Sequence, residues 1–169
     1  IKATNEGTGS DANRGEIVIN KNLTIRKAAG ASSAVLDANS NGTNAPATTH
    51  RIFKVESGAT LTLSGLTLKG GIGAVGGQGG GGIYAEGALT MTDCIVTGNE
   101  TGFGNGGGIY AGGNLTMTRC TVSSNTVDDN NSVGGGGIYI YTAGDHTMEN
   151  CTVDRNSAQF NGNGGGICV

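Results

Sequence analysis

The stretch GGGIYAEGALTMTDCIVTGN at residues 80–99 is answered by GGGIYAGGNLTMTRCTVSSN at residues 106–125, so the chain repeats itself after 26 residues. The Gly-Gly-Ile part returns at residues 136–138 and 165–167. The second half of the unit returns as HTMENC at residues 146–151. Self-similarity at a fixed period indicates units that cannot bury their own apolar faces and must stack on one another.

Apolar and polar side chains alternate within each unit with a period of two, which is the pattern of short strands rather than of helices. Earlier and more divergent units lie at residues 61–66 and 22–25. Thr90, Thr92 and Ile95 are expected to face outward. The residues expected to face the core are Ile83, Leu89, Met91, Cys94 and Val96, with their equivalents in the other units.

This pattern predicts an all-β fold, a right-handed parallel β-helix (solenoid) of about six coils of 26–31 residues, the last one partial. We expect a single domain over residues 1–169, with divergent coils in residues 1–50 and regular repeats in residues 51–169. The abrupt end at Val169, which has no cap, leads us to expect a fragment of a longer surface protein, or end-to-end self-association.

Composition limits the classes of partner. The net charge is −3 and only 14% of residues are charged, so no nucleic-acid partner is expected. No apolar run approaches the roughly 20 residues that span a bilayer, and we expect no membrane-spanning segment. The only cofactor considered is Ca²⁺, which Asp128, Asp129, Asn130 and Asn131 could bind weakly, although a solvated loop is the favoured interpretation of these residues.

Two residue types recur at fixed positions. Asn99, Asn125 and Asn156 each follow an inward valine by three residues, and an inward ladder of amides could satisfy buried polar groups at a bend. Cys94, Cys120 and Cys151 take the position of Leu66 and are expected to be inward free thiols. A Cys94–Cys120 disulfide is the alternative, whereas zinc binding is disfavoured by the spacing.

Tyr84, Tyr110 and Tyr139 recur beside the glycine runs and are expected to stack on the outer face. Such a file either stiffens the coil or offers aromatic surface to sugar rings. With Asp128, Asp129 and Asn130 in the longest polar insert, these tyrosines form the candidate binding surface.

The Gly-Gly-x-Ile-Tyr segments followed by Val-x-x-Asn resemble the paired GGA[ILV] and FxxN repeats of the polymorphic outer membrane proteins of Chlamydia and related bacterial surface proteins. The resemblance covers about residues 53–169, with Val in place of Phe. It implies a non-catalytic β-helical passenger of an autotransporter, at the cell surface, outer-membrane-associated or secreted. It also implies an adhesive role, with a host-cell protein or glycan as partner.

Two other functions remain open. A polysaccharide-lyase-like enzyme would need paired carboxylates or a Ca²⁺ cluster, and the best candidates are Asp93, Arg119 and Asn150 in one outward file. These are singly placed and of mixed type, so a solvated turn column is the simpler interpretation, and no catalytic residue is assigned. An ice-binding solenoid would use an outward threonine array. The threonines of that array are Thr62, Thr90, Thr116 and Thr147.

Overall fold

The protein is a stack of short parallel strands. The computed structural model describes residues 16–38, 50–73, 79–102, 104–128, 134–141, 144–159 and 164–169, which contain nineteen strands and no helix. The strands form four parallel sheets in which each strand pairs with its counterpart in the neighbouring coil. Two or three residues separate most consecutive strands of a coil, so the chain turns sharply from one sheet to the next.

Sheets A, B and C form the three walls of the solenoid. Sheet A consists of β1 (Ile17–Ile19), β4 (Phe53–Val55), β7 (Ile83–Ala85), β11 (Ile109–Ala111), β15 (Ile138–Ile140) and β19 (Ile167–Cys168). Sheet B consists of β2 (Leu23–Arg26), β5 (Thr60–Ser64), β8 (Ala88–Thr92), β12 (Leu115–Thr118) and β16 (His146–Glu149). Sheet C consists of β3 (Val35–Asp37), β6 (Thr67–Lys69), β9 (Ile95–Thr97), β13 (Thr121–Ser123) and β17 (Thr152–Asp154).

A fourth, narrower sheet links sheet C back to sheet A. Sheet D consists of β10 (Glu100–Thr101), β14 (Thr126–Val127) and β18 (Ser157–Ala158). Ile72 extends it by one isolated parallel bridge to Glu100. The described strands thus make five coils and the opening strand of a sixth, which confirms the predicted all-β parallel solenoid.

Register follows the sequence repeat without slippage. Met91 pairs with Leu63 on one side and with Met117 on the other. The divergent segment at residues 22–25 joins the same ladder, because Leu23 pairs with Leu61. Each inward position therefore becomes a column of like side chains along the solenoid axis.

The core is built from these columns. Leu89, Met91, Cys94 and Val96 are buried, whereas Ile95 is 42% exposed, so the predicted inward and outward faces are as observed. Phe53 fills the wall of sheet A in the second coil, where later coils have isoleucine. Small aliphatic side chains suffice because the inward residues of the middle coils are covered from above and below as well as from the side.

The corner between sheets B and C needs a left-handed backbone residue. Gly65, Asp93, Arg119 and Asn150 occupy this corner in successive coils with φ of 68°, 53°, 51° and 55°. The strained conformation lets two residues connect the walls and points each side chain at this position outward.

Each glycine of the Gly-Gly-Gly segments has a different packing role, shown by residues 106–108. Gly106 has φ of 73°, which glycine adopts without strain. A Cβ on Gly107 would collide with the carbonyl oxygen of Thr126 in sheet D. A Cβ on Gly108 would come within 3.0 Å of the amide of Asn125. The end of each glycine run is therefore a packed part of the wall.

Candidate functional site

All four tyrosines of the chain lie in one cluster on the outer face of sheet A. Tyr84, Tyr110 and Tyr139 stand in register on β7, β11 and β15. The Tyr84 and Tyr110 rings stack with centroids 4.7 Å apart, and the Tyr110 and Tyr139 rings are 5.6 Å apart. Tyr141 follows β15 on the same face and stacks on Tyr110 at 5.9 Å. We call these four residues the tyrosine cluster.

One end of the tyrosine cluster is closed by a cation. The guanidinium of Arg51 lies 4.8 Å from the centre of the Tyr84 ring. Arg51 Nε lies 2.8 Å from Glu16 Oε2, and both side chains are nearly buried. Burial lowers the pKa of Arg51 and raises the pKa of Glu16, while their mutual attraction opposes both shifts.

The sequence pattern predicts that Tyr84 is exposed, but its neighbours bury it. It points outward, but only 7% of its surface is accessible, because Arg51 covers one ring face and Tyr110 covers the other. Its hydroxyl donates a hydrogen bond of 3.1 Å to Glu86 Oε1. Tyr84 therefore anchors the cluster and offers little surface to a ligand.

The opposite end of the tyrosine cluster is open. Tyr141 is 65% exposed, although its ring stacks on Tyr110 and lies 6.4 Å from the ring of Tyr139. Gly112, the residue below Tyr141, leaves space for the Tyr110 ring, since a Cβ there would lie 3.3 Å from that ring. Tyr141 thus presents an exposed aromatic surface that its neighbours hold in place.

Burial affects the ionisation of the tyrosine cluster. Desolvation raises the pKa of Tyr110 to about 12, with smaller contributions from Tyr141 and Tyr139. Desolvation also raises the pKa of Tyr84 and of Tyr139. These three hydroxyls stay protonated, and able to donate hydrogen bonds, well beyond neutral pH.

The three asparagines form a hydrogen-bonded ladder inside the solenoid. Asn99 Nδ2 donates to Asn125 Oδ1, and Asn125 Nδ2 donates to Asn156 Oδ1, each at 2.9 Å. Each amide oxygen also accepts a backbone N–H from the preceding coil: Asn125 Oδ1 accepts from Asn99 N at 3.0 Å. Asn99 and Asn125 are buried and Asn156 is half-buried. None of these amides points to the outer surface where a ligand could reach it.

Three of the four cysteines, Cys94, Cys120 and Cys151, stand in one inward column as free thiols. Cys94 and Cys120 are buried and Cys151 is half-buried. Each thiol contacts a carbonyl oxygen two residues earlier, as Cys94 does with Thr92 at 3.3 Å. The contact with the Cys120 thiol lowers the pKa of Cys94 to about 7, while the same contact and burial raise the pKa of Cys120.

The outward residues at the B–C corner include an ion pair, Asp93 with Arg119, rather than two acidic side chains. Arg119 donates from Nε and from a second guanidinium nitrogen to Asp93 at 2.7 and 2.9 Å. These hydrogen bonds lower the pKa of Asp93. A carboxyl group held in its ionised form is a poor general acid. Asn150, at the same corner of the next coil, adds no second carboxylate.

The acidic insert is only partly described. Asp128 is exposed, and its backbone N–H donates to the Thr101 carbonyl at 2.9 Å. Asp129 and Asn130 lie outside the described residues. Over the ranges that the structure does describe, His, Cys, Asp and Glu form no group of three or more that could hold a metal ion.

The outward threonines of sheet B form one straight file. Thr62, Thr90, Thr116 and Thr147 are in register, and Thr24 extends the file by one coil. The neighbouring file begins with Arg26 and ends with Glu149. Charged groups therefore flank the hydroxyl array at both ends.

These features define the class of protein as a parallel β-solenoid with a polar outer surface and one aromatic cluster. A family model described as a right-handed β-helix region matches residues 12–169. The chain therefore belongs to the right-handed β-helix family, and the predicted handedness is confirmed. No curated protein matches the chain, and no solved structure matches it either. In the described ranges, no helix is both long and apolar enough to cross a membrane.

The sequence analysis did not identify two residues of the tyrosine cluster and its surroundings, Tyr141 and Arg51. Tyr141 follows Tyr139 by two residues, so the period-two alternation that placed Tyr139 outward also places Tyr141 outward. Arg51 gave no such signal, because its position over Tyr84 depends on how the second coil stacks beneath the third.

Proposed function

We propose that this β-helix is a non-catalytic binding module of a bacterial surface or secreted protein, of the adhesin or passenger type, and that the tyrosine cluster contacts a glycan. The repeat resemblance supports the surface location. The tyrosine cluster carries the proposal, because it gathers every tyrosine of the chain at one place and leaves the Tyr141 ring largely exposed.

The geometry of the tyrosine cluster suits a sugar ring. The open face of Tyr141 can cover the apolar side of a pyranose, and its hydroxyl can bond the rim. Stacking on Tyr110 already restricts the Tyr141 ring, so little side-chain entropy remains to be lost on binding. The neutral hydroxyls of Tyr110 and Tyr139 add hydrogen-bond donors beside it.

A binding role fits the remaining surface better than catalysis does. The best acid candidate, Asp93, is neutralised by two hydrogen bonds from Arg119. Asn156, Asn125 and Asn99 use their amides inside the wall. The outward threonines of sheet B and the rings of the tyrosine cluster are groups that recognise ligands.

A glycan-binding screen on the purified chain, followed by calorimetry on the best ligand, tests the proposal. We expect Tyr141→Ala to weaken binding about tenfold or more, and Tyr141→Phe to retain most of it. Val35→Ala, which trims an exposed apolar side chain on sheet C, is the control and should bind like the unmodified chain. Unchanged affinity in Tyr141→Ala, or no glycan binding by the unmodified chain, would contradict the proposal.

A further inference from the structure

A second surface feature lies at the B–C corner of the first coils. There the structure forms a half-open groove of about 650 Å³, a size common among ligand sites. Its lining is rich in hydroxyl and cationic groups. The polar side chains that face it include Arg26, Lys27, Ser32, Ser33, Ser64 and Asp93.

The groove exists because the first coil has a longer corner than the others. Eight residues, 27–34, connect β2 to β3, whereas two residues connect the same sheets in each later coil. Both ends of this insert are fixed to the second coil: Lys27 N donates to the Ser64 carbonyl, and Thr67 N donates to the Ala34 carbonyl, each at 2.9 Å. The insert forms one wall of the groove and the corner of the second coil forms the other.

The side chain of Lys27 lies along the corner because Gly65, which has no side chain, leaves room for it. A Cβ on Gly65 would lie 3.1 Å from Lys27 Cβ and 3.5 Å from Lys27 Cε, so the lysine side chain lies across the space that glycine leaves. The next residue in that corner column is Asp93, and the positive charge of Lys27 acts on its carboxylate. Asp93 already holds both hydrogen bonds from Arg119, so Lys27 is not neutralised by it.

The groove therefore carries an excess of positive charge. Arg26 and Lys27 form no ion pair with any residue in the described ranges, in contrast to Lys69, which lies 2.9 Å from Asp37. Arg26 and Lys27 line the groove together with one carboxylate, that of Asp93, and this carboxylate is already paired with Arg119. This local excess contrasts with a chain of net charge −3, and it creates a local attraction for anions.

We infer that the groove binds a sulfated polysaccharide, with a sulfate ester held between Arg26 and Lys27. The guanidinium gives paired donors and the ammonium a point charge, which together suit a tetrahedral oxyanion. Ser32, Ser33 and Ser64 supply hydroxyls for the sugar beside it. This site is on a different wall from the tyrosine cluster, and the inference does not rest on the function proposed for that cluster.

Calorimetry with a heparin-derived hexasaccharide tests the inference. Arg26→Ala/Lys27→Ala should lose affinity at least tenfold. Lys21→Ala/Lys54→Ala removes the same charge away from the groove and should lose less than threefold. Ser64→Glu keeps both cations but places a carboxylate beside Arg26, and it should weaken binding as strongly as the double variant.

The outcomes separate specific binding from general charge attraction. An equal loss in both double variants, or no binding of the hexasaccharide to the unmodified chain, would overturn the inference. Equal affinity for an oligogalacturonate of the same length would overturn the assignment to sulfate. Circular dichroism of every variant, compared with the unmodified chain, shows whether the solenoid is intact. Tyr141→Ala should bind the hexasaccharide normally, so this test does not depend on whether the tyrosine cluster binds a glycan.

Discussion

At the scale of the residue, the asparagine ladder shows why one residue type recurs. A primary amide has an acceptor and two donors on one short side chain. In this ladder the acceptor takes the backbone N–H of the preceding coil, and the donors bind a carbonyl and the next amide. Aspartate lacks the donors and serine lacks the reach, so only asparagine satisfies all of these groups inside the wall.

Asn125→Ala should therefore destabilise the chain by about 2–3 kcal/mol, because the buried Asn99 N–H and the Val96 carbonyl each lose a partner. Urea unfolding followed by circular dichroism gives the free energy. Asn156→Ala is the matched control, with a smaller expected cost, since Asn156 is half-buried and water can replace its side chain. Equal costs in the two variants would show that burial does not govern the ladder.

Spacing made the asparagines predictable, whereas the members of the tyrosine cluster were predictable only in part. An asparagine three residues after an inward valine recurs in three successive coils, and stacking follows directly. The exposure of Tyr84 could not be predicted, because it depends on Arg51, which lies 33 residues earlier in the sequence. Contacts between coils of unequal length carry no periodic signal.

At the scale of the element, the glycine segments explain how sheet A meets sheet D. In three of the four segments the middle glycine packs directly on a carbonyl of sheet D, as Gly107 does on Thr126. Sheet D itself was not predicted from the sequence. Its strands have only two residues, too few for an alternation to be visible, and they share no residue type beyond the asparagine that precedes them.

Gly107→Ala should destabilise the chain by about 1–3 kcal/mol, because the added methyl group meets backbone that cannot rotate away. Gly102→Ala is the matched control. A Cβ at Gly102 has open space around it, so this change should be neutral or slightly stabilising. Thermal unfolding of the two variants gives the comparison, and a Gly107→Ala chain as stable as Gly102→Ala would mean that the wall is looser than its packing indicates.

At the scale of the whole molecule, the repeated residues determine the solenoid walls, and departures from the repeat determine where a groove forms on the surface. Outward threonines and inward leucines were predictable because successive coils repeat them. The groove was not, since it results from one eight-residue corner, 27–34, whereas the later corners between sheets B and C have two residues. Repeat positions specify the walls, while an insertion between them creates the groove.

The stacking also predicts that equal residues contribute unequally along the axis. Met117 and Met148 are register partners in neighbouring coils, but Met117 is fully buried while Met148 is 36% exposed. Met117→Ala should cost about 2–5 kcal/mol, the usual range for a buried methionine. Met148→Ala should cost less than half as much, because its side chain has lost less water on folding. Urea unfolding of the two variants measures both values.

Similar costs would show that the fifth coil is covered in solution, for instance by the end of a second copy of the chain, and sedimentation at several concentrations would then reveal the association.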